Sequence, residues 1–193
     1  MSKLNKECLP KGFHYFPQGI SFDKSLALYR HLCAQLPWQQ PEIRVYGKLH
    51  RIPRLQCFVA ERSVNYGYSG KRLESCDWLP VLSAIRARLQ QQYGQPFNAL
   101  LLNWYRDGQD TMGWHSDDEQ ELGEEPMIVS VSLGASRVFK IRNKVTRETY
   151  SILLETGSFL VMSGRSQHDF EHSLPKQAKV SQGRINLTFR TVG

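Results

Sequence analysis

What the sequence lacks narrows it first. No apolar run approaches the ~20 residues that cross a bilayer, and the opening MSKLNKECLPKGFHYFP has none of the apolar core of a secretory leader. Cysteine is scarce. Cys8, Cys33, Cys57 and Cys76 are dispersed and form no CxxC pair, so they read as reduced cytosolic thiols and not as a disulfide framework. There is no low-complexity segment and no internal repeat. These absences predict a cytoplasmic protein with no membrane partner. With 193 residues, of which 40% are hydrophobic, the chain can bury a sizeable core and is expected to form one domain and act as a monomer.

Acidic residues are also in deficit, 18 against 25 Lys and Arg, for a formal net charge of +7. Most of that excess is local. From Arg44 to Arg72 the basic residues are Arg44, Lys48, Arg51, Arg54, Arg62, Lys71 and Arg72, opposed by Glu61 alone. Tyr46, Phe58, Tyr66 and Tyr68 are interleaved with them. Cations neutralise phosphates and flat rings stack on bases, so this mixture fits a nucleic-acid surface. A solvated basic face has the same composition.

Two segments read as helices. Ser21–Leu36 places Leu26, Leu28, Tyr29, Leu32 and Leu36 roughly on one face, with Ser21 or Asp23 as cap and Pro37 as stop. Asp77–Gly94 runs from an Asp cap through Leu82, Ile85 and Leu89 to a terminal Gly. The basic stretch between them, punctuated by Pro53, Gly47, Gly67 and Gly70, reads as short strands and loops. Beyond Gly94 come six apolar or alternating runs: NALLLNWY, PMIVSVSLG, SRVFKIRN, ETYSILLE, GSFLVMSG and RINLTFRT. Half-buried strands at such close spacing make a sandwich or barrel. The predicted fold is therefore mainly β with flanking helices (α+β).

The chemistry-bearing stretch is NWYRDGQDTMGWHSDDE, Asn103 to Glu119. In an extended segment residues two apart point to one side, so His115 and Asp117 would share a face. Alone, HxD is also compatible with a capped acidic turn. Downstream, SGRSQHDFEHSLP adds His168 and His172. In RINLTFR, alternation puts Arg184, Asn186, Thr188 and Arg190 on one face and Ile185, Leu187 and Phe189 on the other. A core-facing row cannot hold two guanidinium groups without an anion, whereas a solvent-exposed row can; its placement after the His/Asp/His set favours an anion-binding wall. Two histidines and one carboxylate with open positions suit non-haem Fe(II), and zinc accepts the same ligands.

These motifs, followed through SVSLGASRVF, HSLP and RINLTFR, resemble the AlkB family of Fe(II)- and 2-oxoglutarate-dependent dioxygenases. The resemblance runs from Arg44 onward and is closest to members that repair alkylated DNA. It implies a double-stranded β-helix (jelly roll) over about residues 98–193, with a nucleotide-recognition lid over about 44–75. It implies His115, Asp117 and His172 as iron ligands, with His172 preferred to His168 for its HSLP context. Arg190 matches the residue that pairs with the distal carboxylate of 2-oxoglutarate, and Arg184 matches an arginine nearer the metal. Asn103, Tyr105, Asn186 and Thr188 match polar groups lining the same pocket.

The lid sequence VYGKLHRIPR places Val45, Tyr46 and Gly47 where double-strand-acting relatives carry a finger that fills the gap left by a flipped base. By the same resemblance Lys48 and Arg54 contact phosphates, and Tyr66 and Tyr68 in NYGYSG serve the base, Tyr68 stacking opposite His115. Asp118 and Glu119 would favour a cationic base. The implied reaction uses Fe(II), O2 and 2-oxoglutarate to remove N-methyl groups from 1-methyladenine and 3-methylcytosine in DNA, releasing succinate, CO2 and formaldehyde. The same chemistry on RNA or protein, and a non-catalytic metal-containing nucleic-acid-binding module, are the alternatives.

Overall fold

A computed structural model of the chain describes residues 9–45, 47–61, 64, 67–68, 71–72 and 74–193, without the side chains of 43–45, 67–68 and 71–72. In chain order the elements are β1 (Phe13–Phe16), α1 (Phe22–Gln35), β2 (Glu42–Val45), β3 (Lys48–Arg51), β4 (Leu55–Ala60), β5 (Gly67–Tyr68), β6 (Lys71–Arg72), β7 (Ser75–Cys76), α2 (Pro80–Tyr93) and β8 (Ala99–Tyr105). They continue as β9 (Met112–His115), a 3-10 turn (Gln120–Leu122), β10 (Ile128–Gly134), β11 (Arg137–Asn143), β12 (Thr149–Leu154), β13 (Phe159–Met162), α3 (Ser166–Asp169), β14 (Phe170–Leu174) and β15 (Arg184–Arg190).

Two sheets carry the architecture. The larger has seven strands in the order β1-β13-β10-β15-β8-β4-β7, and the smaller has four in the order β12-β11-β14-β9. Their ladders are antiparallel apart from the parallel β4–β7 pair. The jelly-roll expectation holds, and the alternation of each strand explains why. On β10, Val129, Val131 and Leu133 face outward into a core shared with Ile185, Leu187 and Phe189 of β15 and with the helices, through Leu28, Leu32, Leu36, Leu82 and Leu89. A second core of Phe13, Ile128, Ile141, Ile152, Leu154, Leu160 and Met162 fills one end of the space between the sheets. The opposite row of β10, Ser130 and Ser132, is left facing the polar row of β15. Burying both faces of the large sheet is what fixes its register, because a slip of one residue would invert every side chain.

The helices match their sequence signals with one change. α1 ends before Leu36 and Pro37, as expected. α2 begins at Pro80, with Leu79 in the cap position, so Asp77 lies outside the helix. Proline supplies the φ of a first helical residue and has no N–H to leave unpaired there. Gly94 ends α2 in the left-handed conformation, φ +65°.

Candidate metal centre

His115 is the last residue of β9, and its partner across the ladder on β14 is His172. That register brings the two imidazoles to a centroid separation of 4.3 Å. The Nδ1 of His115 lies 2.9 Å from the Gly113 carbonyl. A carbonyl can only accept, so Nδ1 carries the proton and the lone pair stays on Nε2. This Nε2 points toward Asp117, whose Oδ1 is 3.9 Å away. One donor atom from each of His115, Asp117 and His172 lies within 4.8 Å of the others.

Strand alternation does not bring Asp117 there, because β9 has already ended. The loop is held from the other side of the fold: the Asp117 N–H donates to Oε1 of Gln167 at 3.0 Å, and the Ser116 hydroxyl donates to the Phe170 carbonyl at 3.0 Å. His168 is not part of the centre. It lies on α3 with its side chain 66% exposed, 2.8 Å from Asp169.

The charges are poised for a cation. Burial pushes the Asp117 carboxyl up, but Arg190, His172 and His115 outweigh it and hold the group at about 2. Burial, helped by His115, drives His172 down to about 3 against the pull of Asp117. Burial also lowers His115, again opposed by Asp117. The set is therefore one carboxylate and two neutral imidazoles, the forms in which these groups ligate a metal. Nδ1 of His172 is buried without a hydrogen-bond partner among the described residues. An unmet polar atom in the interior is unfavourable unless something else engages it, so the residues present fit a divalent ion.

β15 supplies the wall. Arg184, Asn186, Thr188 and Arg190 do share its inward face, together with Asn103 and Tyr105 of β8, Ser130, and the metal-centre residues. The order of the two arginines is the reverse of the expected one. A nitrogen of Arg190 donates to Oδ1 of Asp117 at 2.7 Å, so Arg190 stands at the metal centre. Arg184 lies at the other end, donating to Oγ of Ser132 at 2.9 Å and to Oδ1 of Asn186 at 2.8 Å, with the Tyr105 ring 5.6 Å away. Neither strand pattern nor spacing encodes which end of the row meets the metal; the loop carrying Asp117 decides it.

Arg184 is 2% exposed, its Nε is buried without a partner, and no carboxylate among the described residues pairs with it. Burial, with Arg137 nearby, lowers its guanidinium to about 10. Such a cation calls for an anion from outside the chain.

Residues 12–190 match the family model of the 2OG-Fe(II) oxygenase superfamily. The chain belongs to that superfamily. Its relatives place it in the AlkB branch. It is 37% identical over 98% of its length to alpha-ketoglutarate-dependent dioxygenase alkB homolog 3 of Rattus norvegicus, and spans 65% of that protein. It is 40% identical over 78% of its length to DNA oxidative demethylase ALKBH2 of Bos taurus, and spans 57% of that protein. The solved structure of OsALKBH1 superposes with a TM-score of 0.69 over 96% of this chain and all of the other, at 17% identity, which bears on the fold alone. Membership of this superfamily implies Fe(II), 2-oxoglutarate and O2.

For an AlkB-branch protein the expected substrate residues are scattered. Lys48 is exposed at the start of β3, opposite Val45 in a tight hairpin closed by Gly47 at φ +80°. Tyr46 and Tyr66 lie outside the described residues, and so does the Tyr68 side chain, although the Tyr68 backbone forms β5. Arg54 does not face phosphates. It is 5% exposed and donates through Nε to Oδ1 of Asn103 at 3.0 Å. Its neighbour Pro53 turns the chain inward, which no charge count could reveal.

Asp118 also turns away. Its side chain is 63% exposed and sits 3.5 Å from Lys144, on a cleft shared with Gln120, Glu124 and Gln167. Glu119, half-buried, caps the 3-10 turn through its carbonyl, which accepts the Leu122 N–H. A cleft of about 880 Å³ along β1, lined also by Arg165, Asp169 and Phe170, is separate from the metal centre.

Gln167, Ser130, Ser132 and Arg137 were not anticipated. The two serines were readable from MIVSVSL, whose polar row had to face something polar. Gln167 and Arg137 had no local signal. Arg137 is fully buried and donates to the carbonyls of Asp107, Asp110 and Pro175, tying two loops to the sheet behind Arg184.

Proposed function

We propose that the chain is a dioxygenase that removes N-methyl groups from 1-methyladenine and 3-methylcytosine in DNA. The observation that carries this reading is the convergence of His115, Asp117 and His172 beside a buried Arg184 that no carboxylate among the described residues neutralises. The names of the relatives, one of them a DNA oxidative demethylase, and the basic, aromatic 44–72 segment support DNA as the partner. A closed structural zinc site would need a fourth protein ligand, and the cluster found among the described residues has three.

In this reading His115, Asp117 and His172 would hold Fe(II). Bound iron, with 2-oxoglutarate and O2, supplies the oxidising power that hydroxylates the N-methyl carbon, and 2-oxoglutarate leaves as succinate and CO2. The chain's own groups bind and orient. Arg184 grips the distal carboxylate with the Tyr105 hydroxyl beside it, a planar fork meeting a planar anion. Arg190 holds Asp117 in its ionised form and completes the metal end of the pocket with Asn103. Leu101, Met112, Phe139, Met162 and Leu174 line the remaining wall and exclude water from the reacting atoms. Glu119, two residues beyond Asp117, offers a carboxylate to a base made cationic by its methyl group. Lys48 on the β2–β3 hairpin meets phosphate.

The test is incubation with a 3-methylcytosine oligonucleotide, single- and double-stranded, with Fe(II) and 2-oxoglutarate. Formaldehyde release with a loss of one methyl group in intact mass is expected. Succinate formation that the oligonucleotide does not stimulate would move the substrate to RNA or protein.

A further inference from the structure

Another buried arginine, Arg54, stands next to the pocket, on the opposite side of β8 from β15. Arg54 leads into β4, whose register sets Gln56 opposite Asn103. Its Nε donates to Oδ1 of Asn103 at 3.0 Å, and a terminal nitrogen reaches the Thr111 carbonyl at 3.5 Å. The Thr111 N–H returns to the Pro53 carbonyl at 2.9 Å, so the approach to β9 and the metal centre is tied to the same corner. Arg54 and Asn103 are each 5% exposed. No carboxylate among the described residues forms an ion pair with Arg54, and its hydrogen bonds go to neutral oxygens.

This contact settles a question that matters for an anion pocket. A primary amide presents an acceptor oxygen on one side and a donor NH2 on the other, and its orientation follows from its partners. Guanidinium has donors and no acceptor. The Asn103 atom that meets Arg54 must therefore be oxygen, which turns the NH2 away from Arg54. Asn103 is at the same time a lining residue of the cavity that holds His115, Asp117 and Arg190. With a neighbour able to accept as well as donate, the amide could turn over and present lone pairs to an incoming carboxylate.

We propose that Arg54 is a positioning residue that locks the Asn103 amide so that its NH2 group donates to the 2-oxoglutarate carboxylate at the metal end of the pocket. This rests on the cosubstrate pocket assigned above and replaces the phosphate-contact role that the lid sequence implied for Arg54. Arg54 does not touch the cosubstrate; it acts through Asn103.

The test reads binding without turnover. Isothermal titration measures 2-oxoglutarate and, separately, a 3-methylcytosine oligonucleotide against protein loaded with Mn(II) in place of Fe(II). Arg54→Gln keeps a polar side chain but can accept as well as donate. It is expected to raise the 2-oxoglutarate Kd about tenfold, the scale of one charge-assisted hydrogen bond, while the oligonucleotide Kd and its salt slope stay within about twofold. In an Asn103→Ala background Arg54→Gln should add less than about twofold, because its effect passes through the missing amide. Asn103→Asp, which keeps an acceptor for Arg54 and folds with that pair intact, should lose 2-oxoglutarate binding because it turns an oxygen to the anion.

Three results would overturn the proposal. One is an Arg54→Gln change confined to the oligonucleotide Kd and its salt slope. Another is full additivity with Asn103→Ala, and the third is parental 2-oxoglutarate affinity in Asn103→Asp. If Asn103→Ala alone leaves the 2-oxoglutarate Kd unchanged, the pocket assignment fails before the role of Arg54 is reached. Should Arg54→Gln not fold, the Asn103→Asp titration decides.

Discussion

Replacing Arg184 by Met separates cosubstrate binding from folding, because it should weaken the first strongly and change the second little. The guanidinium is 2% exposed and is held by two neutral acceptors, Ser132 and Asn186. Its fall from the ordinary arginine range to about 10, caused by burial, is the mark of a charge that the protein alone stabilises poorly. Converted at 1.36 kcal/mol per pKa unit, that is a cost of roughly 3 kcal/mol to the cosubstrate-free fold. The two hydrogen bonds return about 1–3 kcal/mol each, and the Asn186 oxygen keeps the Ser130 hydroxyl at 2.8 Å after the change. Arg184→Met should therefore leave cosubstrate-free stability within about 2 kcal/mol of the parent.

Binding is another matter. Removing one partner of a buried charged pair costs about 2–4 kcal/mol, which is roughly a thirty- to several-hundred-fold rise in the 2-oxoglutarate Kd. Thermal unfolding of the Mn(II)-loaded protein, with and without 2-oxoglutarate, reads both quantities together. The parent should be stabilised by the cosubstrate and the variant should not. A change in Kd below about threefold would refute the assignment of Arg184 to the distal carboxylate. So would collapse of the cosubstrate-free variant, since the arginine would then be a structural group.

Asp117→Ala should abolish turnover and weaken metal retention by orders of magnitude while oligonucleotide affinity in a gel-shift stays within about threefold, because the metal ligands and the basic 44–72 segment are different parts of the chain. Gln167→Leu removes the acceptor of the Asp117 N–H at an almost isosteric site, and a 10–100-fold loss of metal affinity by competition with a chelator is expected, as for other supporting groups behind a metal ligand. Acid should destabilise the metal-free protein: the unfolded chain takes a proton on His172 below about 6.5, whereas the folded state refuses it until about 3. Stability is therefore intact above pH 6.5 and falls as pH drops through that window, by at most about 1.4 kcal/mol per unit for this group. Urea midpoints between pH 7 and 4 measure the slope, and His172→Asn should flatten it.

Composition and pattern made several features legible before any coordinates. Alternation in RINLTFR placed Arg184, Asn186, Thr188 and Arg190 on one face, because a strand's side-chain period of two survives whatever packs against it. The same rule in MIVSVSL separated the core valines from the serines that face the pocket. Leu28, Leu32 and Leu36 ahead of Pro37, and Gly94 after a run of good helix formers, marked the ends of both long helices within a few residues. Motif order brought His115, Asp117 and His172 together on paper, and a residue-to-residue register between β9 and β14 did so in space.

What the sequence could not determine were the contacts made across large separations. Whether Arg184 or Arg190 meets Asp117 depends on a loop that Gln167 holds from 50 residues away. Arg54 counts as one more surface charge in any composition, yet its turn at Pro53 buries it against an amide 49 residues downstream. Asp118 and Asp117 are the same residue type side by side. One is sealed between two imidazoles and a guanidinium, and the other is paired with Lys144 in solvent, because the loop after β9 is pinned at Asp117 by Gln167 and the next residue points the other way. Periodicity is a local property of the backbone and can be read from one strand at a time; partnership is fixed only when distant segments pack, and the pocket's charges take their roles from that packing.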